Sequence, residues 1–400
     1  MNIVVIGGGL AGANAVEELR AQGYTDDITL LGAEPHPPYE RPPLSKGVLL
    51  GNDEPDSVFV HDAQWYGDQH VDLRTGSAVT SLDLDGRKVS VGGEELHYDR
   101  LLVATGAQPR HLPAVDRSGA EVLYLRTIED SLLLKSRLSG NVLVVGAGWV
   151  GLEVAAAARL AGAEVTVVET AELPLLGVLG PEVAPLFAEL HRGHGVDLRL
   201  STSVESVEHG AGRTRVRLSD GHEVDPDLVV VGIGAVPSVE LAATAGLEVD
   251  NGVLVDAALR TANQDVFAAG DVANHDHPVL GRRIRVEHWD TAINQGKHVA
   301  RVMLGSDEPY TALPYFFTDQ YDLGMEYVGT LGPEGYDEVV VRRNDDGKPS
   351  TFLWIQADRV VAGMHIDDWD AIDHLRSAVG SKATAAHRDP DVPLADAVSG

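Results

Sequence analysis

One glycine arrangement occurs twice in this chain, and the repeat restricts the fold more than any other feature. Residues 2–34 (NIVVIGGGLAGANAVEELRAQGYTDDITLLGAE) and 141–169 (NVLVVGAGWVGLEVAAAARLAGAEVTVVE) follow the same order: an apolar run, clustered glycines, a helical pattern, a second apolar run and a glutamate. Unbroken apolar runs such as IVVI and VLVV suit strands of a parallel sheet buried on both faces. The Ala-rich stretch at 152–161 suits a helix packed closely on that sheet. Strand, tight turn, helix, strand, twice over, predicts an α/β chain with two Rossmann-like dinucleotide-binding domains.

In the first copy Gly7, Gly9 and Gly12 form G-x-G-x-x-G around Ala11, and in the second Gly146, Gly148 and Gly151 do so around Val150. The first glycine allows the tight turn, the second lets a pyrophosphate approach the backbone, and the third lets helix and strand pack closely. The helix that follows aims its free N-terminal amides and positive dipole end at the phosphates. Glu34 and Glu169 close the second strands, where an acid binds ribose hydroxyls. An acid at Glu169, with no Arg in the next several positions, favours NADH over NADPH, whose 2′-phosphate it would repel. Two fingerprints imply two dinucleotides, and FAD with NADH is the pair between which hydride passes directly.

The chain has no cysteine. It therefore holds neither a redox disulfide nor a Cys-ligated cluster, and electron chemistry must run on a bound cofactor. No metal site is expected. The net charge of −30 argues against nucleic acid and against an anionic membrane as partners. The sequence enters the first strand without a basic leader, and no apolar run reaches the ~20 residues of a membrane span, so a cytoplasmic location is expected.

Further strands are predicted at 77–82, 100–105, 227–234 and 264–271. Near the end, 352–366 reads as an antiparallel hairpin turning at Ala357–Arg359, and 369–379 as an amphipathic helix. Residues 381–400 lack periodicity and are expected to be mobile.

Six segments carry a family resemblance: PPYERPPLSK (37–46), LLVATGAQPR (101–110), YLRTIED (124–130), VFAAGDVA (266–273), EHWDTAINQG (287–296) and LPYFFTDQYDLGMEYVG (313–329). In order and spacing they resemble the FAD-dependent NADH:ferredoxin reductases of oxygenase and cytochrome P450 systems. These belong to the pyridine nucleotide-disulfide oxidoreductase superfamily and are related to apoptosis-inducing-factor flavoproteins. The resemblance implies a glutathione-reductase-like fold: an FAD domain at 1–112 and 237–315, an NAD domain at 113–236, and a C-terminal α+β domain at 316–400. It places Arg41, Lys46, Val79, Thr105, Gly106, Arg126, Asp271 and Trp289 along the FAD. Glu153, Gly234, Glu287 and Phe317 fall at the nicotinamide or flavin face. Lys46 and Glu153 are implied as a buried, paired catalytic couple, since a lone Glu there would be costly. Phe317 stands where the family often has a Trp in a W-S-D-Q pattern.

With the cysteines of disulfide reductases and NADH peroxidases missing, the resemblance implies an external acceptor, a [2Fe-2S] ferredoxin that serves a cytochrome P450 or other oxygenase. The alternative is a slow NADH-sensing flavoprotein with a switching role. Because ferredoxins are usually acidic, a local basic patch is expected. Arg282, Arg283 and Arg285 are taken to border the docking surface, and Arg342 with Arg343 forms a second cluster.

Overall fold

Ile3–Ile6 is buried along its whole length, as an unbroken run of β-branched side chains requires when both faces of a sheet are covered. In the computed structural model, which describes residues 1–398, this strand is the middle of five. The order across the sheet is Val266–Ala268, Arg100–Val103, Ile3–Ile6, Ile28–Leu31 and Val71–Arg74, all parallel. The fingerprint helix Leu10–Ala21 packs against Trp289–Met303. Small antiparallel sheets, Val79–Asp83 with Lys88–Val91 and Glu94–His97, and Ala273–His277 with Arg282–Ile284, flank this core. Together these form one compact unit, built from Met1–Glu40, Asp56–Gln108 and Val236–Tyr315.

The second unit is built from Arg41–Pro55, Pro109–Ala235 and the chain from Phe316 onward. Its parallel sheet repeats the first: Asp197–Arg199, Glu164–Val168, Asn141–Val145, Leu228–Val231 and Val122–Leu123. A five-stranded antiparallel sheet, Tyr315–Gln320, Leu323–Gly329, Arg359–Ile366, Pro349–Gln356 and Glu338–Arg343, shares its apolar core. Val183 and Phe187 of the helix Leu176–Gly193 and Phe316, Tyr327 and Trp354 of the antiparallel sheet lie in one cluster. Burying each such side chain contributes roughly 1.5–3 kcal/mol. Leu49 joins that cluster too, which ties the segment after Arg41 to this unit.

The expected strands are present, shorter than the apolar runs suggested: Val79–Asp83, Arg100–Val103, Leu228–Val231 and Val266–Ala268. The hairpin turns at Ala357 and Asp358, both with positive φ (45° and 61°), as a two-residue turn between twisted strands needs. The helix expected at 369–379 is confined to Ile372–Ala378. The expectation of a mobile tail is corrected. Ala385–Arg388 and Leu394–Val398 are helical, the first opened by a Thr384 capping box. The buried guanidinium of Arg342 donates to the carbonyls of Ala386, His387, Asp389 and Val392. No periodicity announces this, because the anchors are long-range polar contacts: Arg342 to four carbonyls, and Arg388 to Glu338 and Asp358. Residues 399–400 of that expectation lie outside the described residues.

Candidate functional site

At the first turn, Gly7 has φ +125°, and a Cβ there would stand 2.0 Å from the Ala104 carbonyl oxygen. A Cβ at Gly12 would stand 2.2 Å from the Gly7 oxygen. These two glycines are thus required by the fold itself. Gly9 is different: it caps the helix in extended backbone with no side-chain cap, and a Cβ would meet nothing within 4 Å. Packing does not demand glycine at Gly9, but a pyrophosphate drawn onto the bare helix amides does. Ala11 has a packing role of its own, since its carbonyl lies 2.4 Å from a Cβ built on Gly296. The missing side chain of Gly296 is what lets the two helices of this unit cross closely.

The first unit holds other predicted residues as well. Glu34 is half-buried and accepts a hydrogen bond from the Tyr39 hydroxyl. Val79 opens its strand, half-buried. Thr105 donates to the Ser238 carbonyl at 2.7 Å, and Gly106, with φ +70°, accepts from the Ser238 amide. Asp271 follows Gly270, whose amide donates to the Gln295 side chain at 2.8 Å. Trp289 begins its helix after His288, whose imidazole burial holds down to about 4. Glu287 is ion-paired with Arg285.

This last pair corrects the expected basic patch. Arg285 is bound by Glu287 and by the Asp271 carbonyl, and Arg283 donates to the carbonyls of Val255 and Asn274. Arg283 and Arg285 are therefore bound within their own unit rather than standing as free cations. Arg342 is likewise consumed by the C-terminal helices.

The second turn repeats the glycine logic. Gly146 has φ +102° with its Cβ position 2.3 Å from the Gly232 oxygen, and that of Gly151 lies 2.2 Å from the Gly146 oxygen. Gly148, the helix cap, faces open space as Gly9 does, and Val150 on the first turn is exposed. Glu169 is held by backbone, accepting from the amides of Ala147 (2.8 Å) and Ala171 (2.9 Å). Gly234, with φ +96°, accepts from the Arg110 amide.

Glu153 lies on this helix, 5% exposed, and carries three donors. Lys46 Nζ is 2.8 Å from Oε1, Ser45 Oγ is 2.5 Å from Oε2, and Thr318 Oγ1 is 2.5 Å from Oε1. Three hydrogen bonds, one from a cation, answer the cost of burying a carboxylate. Lys46 Nζ also stands 5.2 Å from the Phe317 ring centroid, within cation–π range. Phe316 is core, against Trp149 and Tyr327, whereas Phe317 is half-buried beside Lys46. Burial pushes the Asp319 carboxyl above its usual range, with Lys46 opposing. Arg41 donates to the carbonyl of Arg126, whose amide is bound by Asp130.

Sequence reasoning missed Ser45 and Thr318 as partners of Glu153, and Tyr39 as partner of Glu34. Thr318 and Gln320 were detectable: along Tyr315–Gln320 they occupy inward positions shared with Phe316, and a polar residue at an inward position needs a partner. Among the described residues, no group of three or more His, Cys, Asp or Glu side chains is arranged to hold a metal ion, and no helix is long and apolar enough to cross a membrane.

Residues 1–296 match the model of the pyridine nucleotide-disulphide oxidoreductase family, and 315–398 match the reductase C-terminal model. The chain belongs to the pyridine nucleotide-disulphide oxidoreductase family. It is 39% identical to the ferredoxin–NAD(+) reductase component of the anthranilate 1,2-dioxygenase system of Burkholderia cepacia, across 99% of this chain and 97% of that protein. Rhodocoxin reductase of Rhodococcus erythropolis is 39% identical, across 89% and 84%. Among solved structures, the covalent putidaredoxin reductase–putidaredoxin complex matches with TM-score 0.93 at 33% identity, covering 100% of this chain and 98% of the other. FAD and NADH are the dinucleotides this family membership implies. The two glycine turns fit them, with bare helix caps at Gly9 and Gly148 and an acid beside each.

Proposed function

We propose that the chain takes hydride from NADH onto bound FAD and delivers the electrons singly to a [2Fe-2S] ferredoxin that serves an oxygenase. The observation that carries this reading is the doubled turn: two uncapped helix N-termini behind glycines that packing does not require, in a chain without cysteine. Bound FAD supplies a centre that accepts two electrons together and releases them one at a time. The protein binds, orients and stabilises charge.

In this reading the amides after Gly9 hold the FAD pyrophosphate, with Ala11 and Gly12 allowing the close approach and Glu34 taking ribose hydroxyls. Arg41, Val79, Thr105, Gly106, Arg126, Asp271 and Trp289 line the FAD. The amides after Gly148, with Val150 and Gly151, hold the NADH pyrophosphate, and Glu169 its ribose. The backbone at Gly234, with Glu287 and Phe317, borders the reacting end. Lys46 is a fixed cation for negative charge on the reduced flavin, kept in place by Glu153 and Phe317. The domains are an FAD domain at 1–112 and 237–315, an NAD domain at 113–236, and an α+β domain at 316–400. The names of the similar reductases and of the putidaredoxin complex support a ferredoxin-type acceptor. A cytoplasmic location agrees with a soluble donor and acceptor.

The test is steady-state turnover with NADH and purified [2Fe-2S] ferredoxins, read as ferredoxin bleaching. The expected result is multiple turnovers with at least one ferredoxin, and NADH used well in preference to NADPH. Rapid ferricyanide reduction with no ferredoxin reduced would contradict the acceptor assignment. Near-zero turnover with a long-lived coloured reduced complex would favour the switching alternative.

A further inference from the structure

Behind Glu153 runs a line of buried polar side chains that hydride transfer itself does not require, all within the second unit. Thr318 is 0%, Gln320 1% and His191 0% exposed. Thr318 Oγ1 donates to Glu153, Gln320 Nε2 stands 3.2 Å from Thr318 Oγ1, and His191 Nε2 stands 2.8 Å from Gln320 Oε1. The Tyr321 hydroxyl lies 3.4 Å from His191 Nδ1, and its ring stacks on His194 with centroids 3.6 Å apart. Tyr321 turns the hairpin with φ +58°, a conformation rare for a non-glycine residue.

The donors and acceptors fix a direction. A carboxamide oxygen only accepts, so His191 carries its hydrogen on Nε2 and leaves Nδ1 to accept from Tyr321. With its oxygen facing His191, Gln320 must turn its NH₂ toward Thr318. The Thr318 oxygen, already accepting, leaves its own hydrogen for Glu153. Every hydrogen in the line therefore points at the carboxylate. Filling the same interior with apolar side chains would avoid the burial of three polar groups, so the line is explained by where it ends.

We propose that His191, Gln320 and Thr318 are positioning residues, a one-way hydrogen-bond line that fixes the Glu153 carboxylate and, through it, the Lys46 ammonium. Without His191 the Gln320 amide is free to turn over. Its oxygen then takes the Thr318 hydrogen and withdraws it from Glu153. Burial lowers the His191 imidazole below its ordinary value and keeps it neutral, as a line with a single accepting ring nitrogen needs.

The inference rests on the reading of Lys46 and Glu153 as active-site groups, and the experiment is chosen so that each can fail alone. In the ¹⁵N-histidine-labelled holoenzyme, the His191 signals, assigned through H191F, are expected from a neutral ring with hydrogen on Nε2. Hydrogen on Nδ1 overturns the proposal without any functional variant. The carboxylate stretching band of Glu153, assigned through E153Q in infrared difference spectra, is expected to move in the same direction in T318V and H191F. T318S restores it, and H191F adds nothing in the T318V background, the non-additivity of one line. Flavin reduction by NADH slows about threefold to tenfold in H191F, with KM for NADH nearly unchanged, as lost alignment dictates. An unmoved band in folded T318V and H191F contradicts the line even if NADH turnover stands. Should those variants not fold, the tautomer decides.

Discussion

The two glycine turns share one backbone solution and differ in what holds the groups around them. In the first unit Glu34, the proposed ribose acid, accepts from the Tyr39 hydroxyl, and the helix behind the turn is occupied by packing, with Ala11 close against Gly296. In the second unit Glu169 is clamped by two backbone amides, and the helix carries a buried, three-donor carboxylate where the first has Asn14, whose amide bonds back to the Leu10 carbonyl of its own helix. A turn that clasps a resident cofactor can devote its helix to close packing. One that meets a passing dinucleotide needs a rigid acid to select it and charged groups ready for the chemistry.

The sharpest way to break this comparison is to fill the two open caps separately. G9V and G148V place a Cβ where nothing in the protein stands within 4 Å, so both variants should fold. G9V is expected to purify colourless, because the FAD pyrophosphate is blocked. G148V should stay yellow with KM for NADH raised roughly 100-fold or more. Absorbance spectra and NADH saturation curves check this.

Next in size is the carboxylate that distinguishes the second helix. E153A leaves Lys46 largely buried without its partner, which should cost about 3 kcal/mol of stability in denaturant titrations. The double variant K46M/E153L should regain most of that stability yet reduce flavin slowly. Full activity in the double variant would deny the pair a role.

The first unit has a titratable weakness of its own. Burial beside His277 pushes His275 down to about 4. The unfolded chain binds the proton near the ordinary value of 6.5, so stability is complete above that pH and falls as pH drops toward 4. Across that window the loss is about 3 kcal/mol. Urea unfolding at pH 7 and pH 4.5 should show it, and H275N, which cannot take up that proton, should remove His275's share of the difference and leave that of His288, which burial also holds down to about 4.

Smallest is nucleotide choice. E169A should weaken NADH about tenfold and narrow the preference over NADPH. The variant also frees the amides of Ala147 and Ala171, so the ratio of the two KM values is the informative readout.

Much of the fold was legible because the decisive signals are local. Each Rossmann-like sheet begins with an apolar strand followed by glycines at fixed spacing, and the hairpin at 352–366 shows two apolar runs on either side of a polar turn. Assignments that rest on a single long-range contact were not legible. The tail from 381 has no periodicity, yet Arg342 binds it through four carbonyls. Counting arginines near 282–285 suggested a free basic patch, whereas Arg285 pairs with Glu287 and Arg283 binds backbone carbonyls. The Lys46–Glu153 contact could be anticipated from the cost of a buried lone carboxylate. Thr318 and Gln320 stand out only as inward polar residues in need of a partner, and that the partner is Glu153, joined also by Ser45 and His191 from two other stretches, is fixed only in the folded second unit.

The central claim is that one chain brings a resident FAD and a diffusible NADH together for direct hydride transfer. Anaerobic stopped-flow mixing of the yellow protein with NADH, and with NADH deuterated at the transferring C4 position, tests it directly. The account predicts complete flavin bleaching by one NADH per chain, slowed by deuterium. Bleaching that needs a second protein, or a rate indifferent to the isotope when hydride transfer is made limiting in K46M, would contradict it.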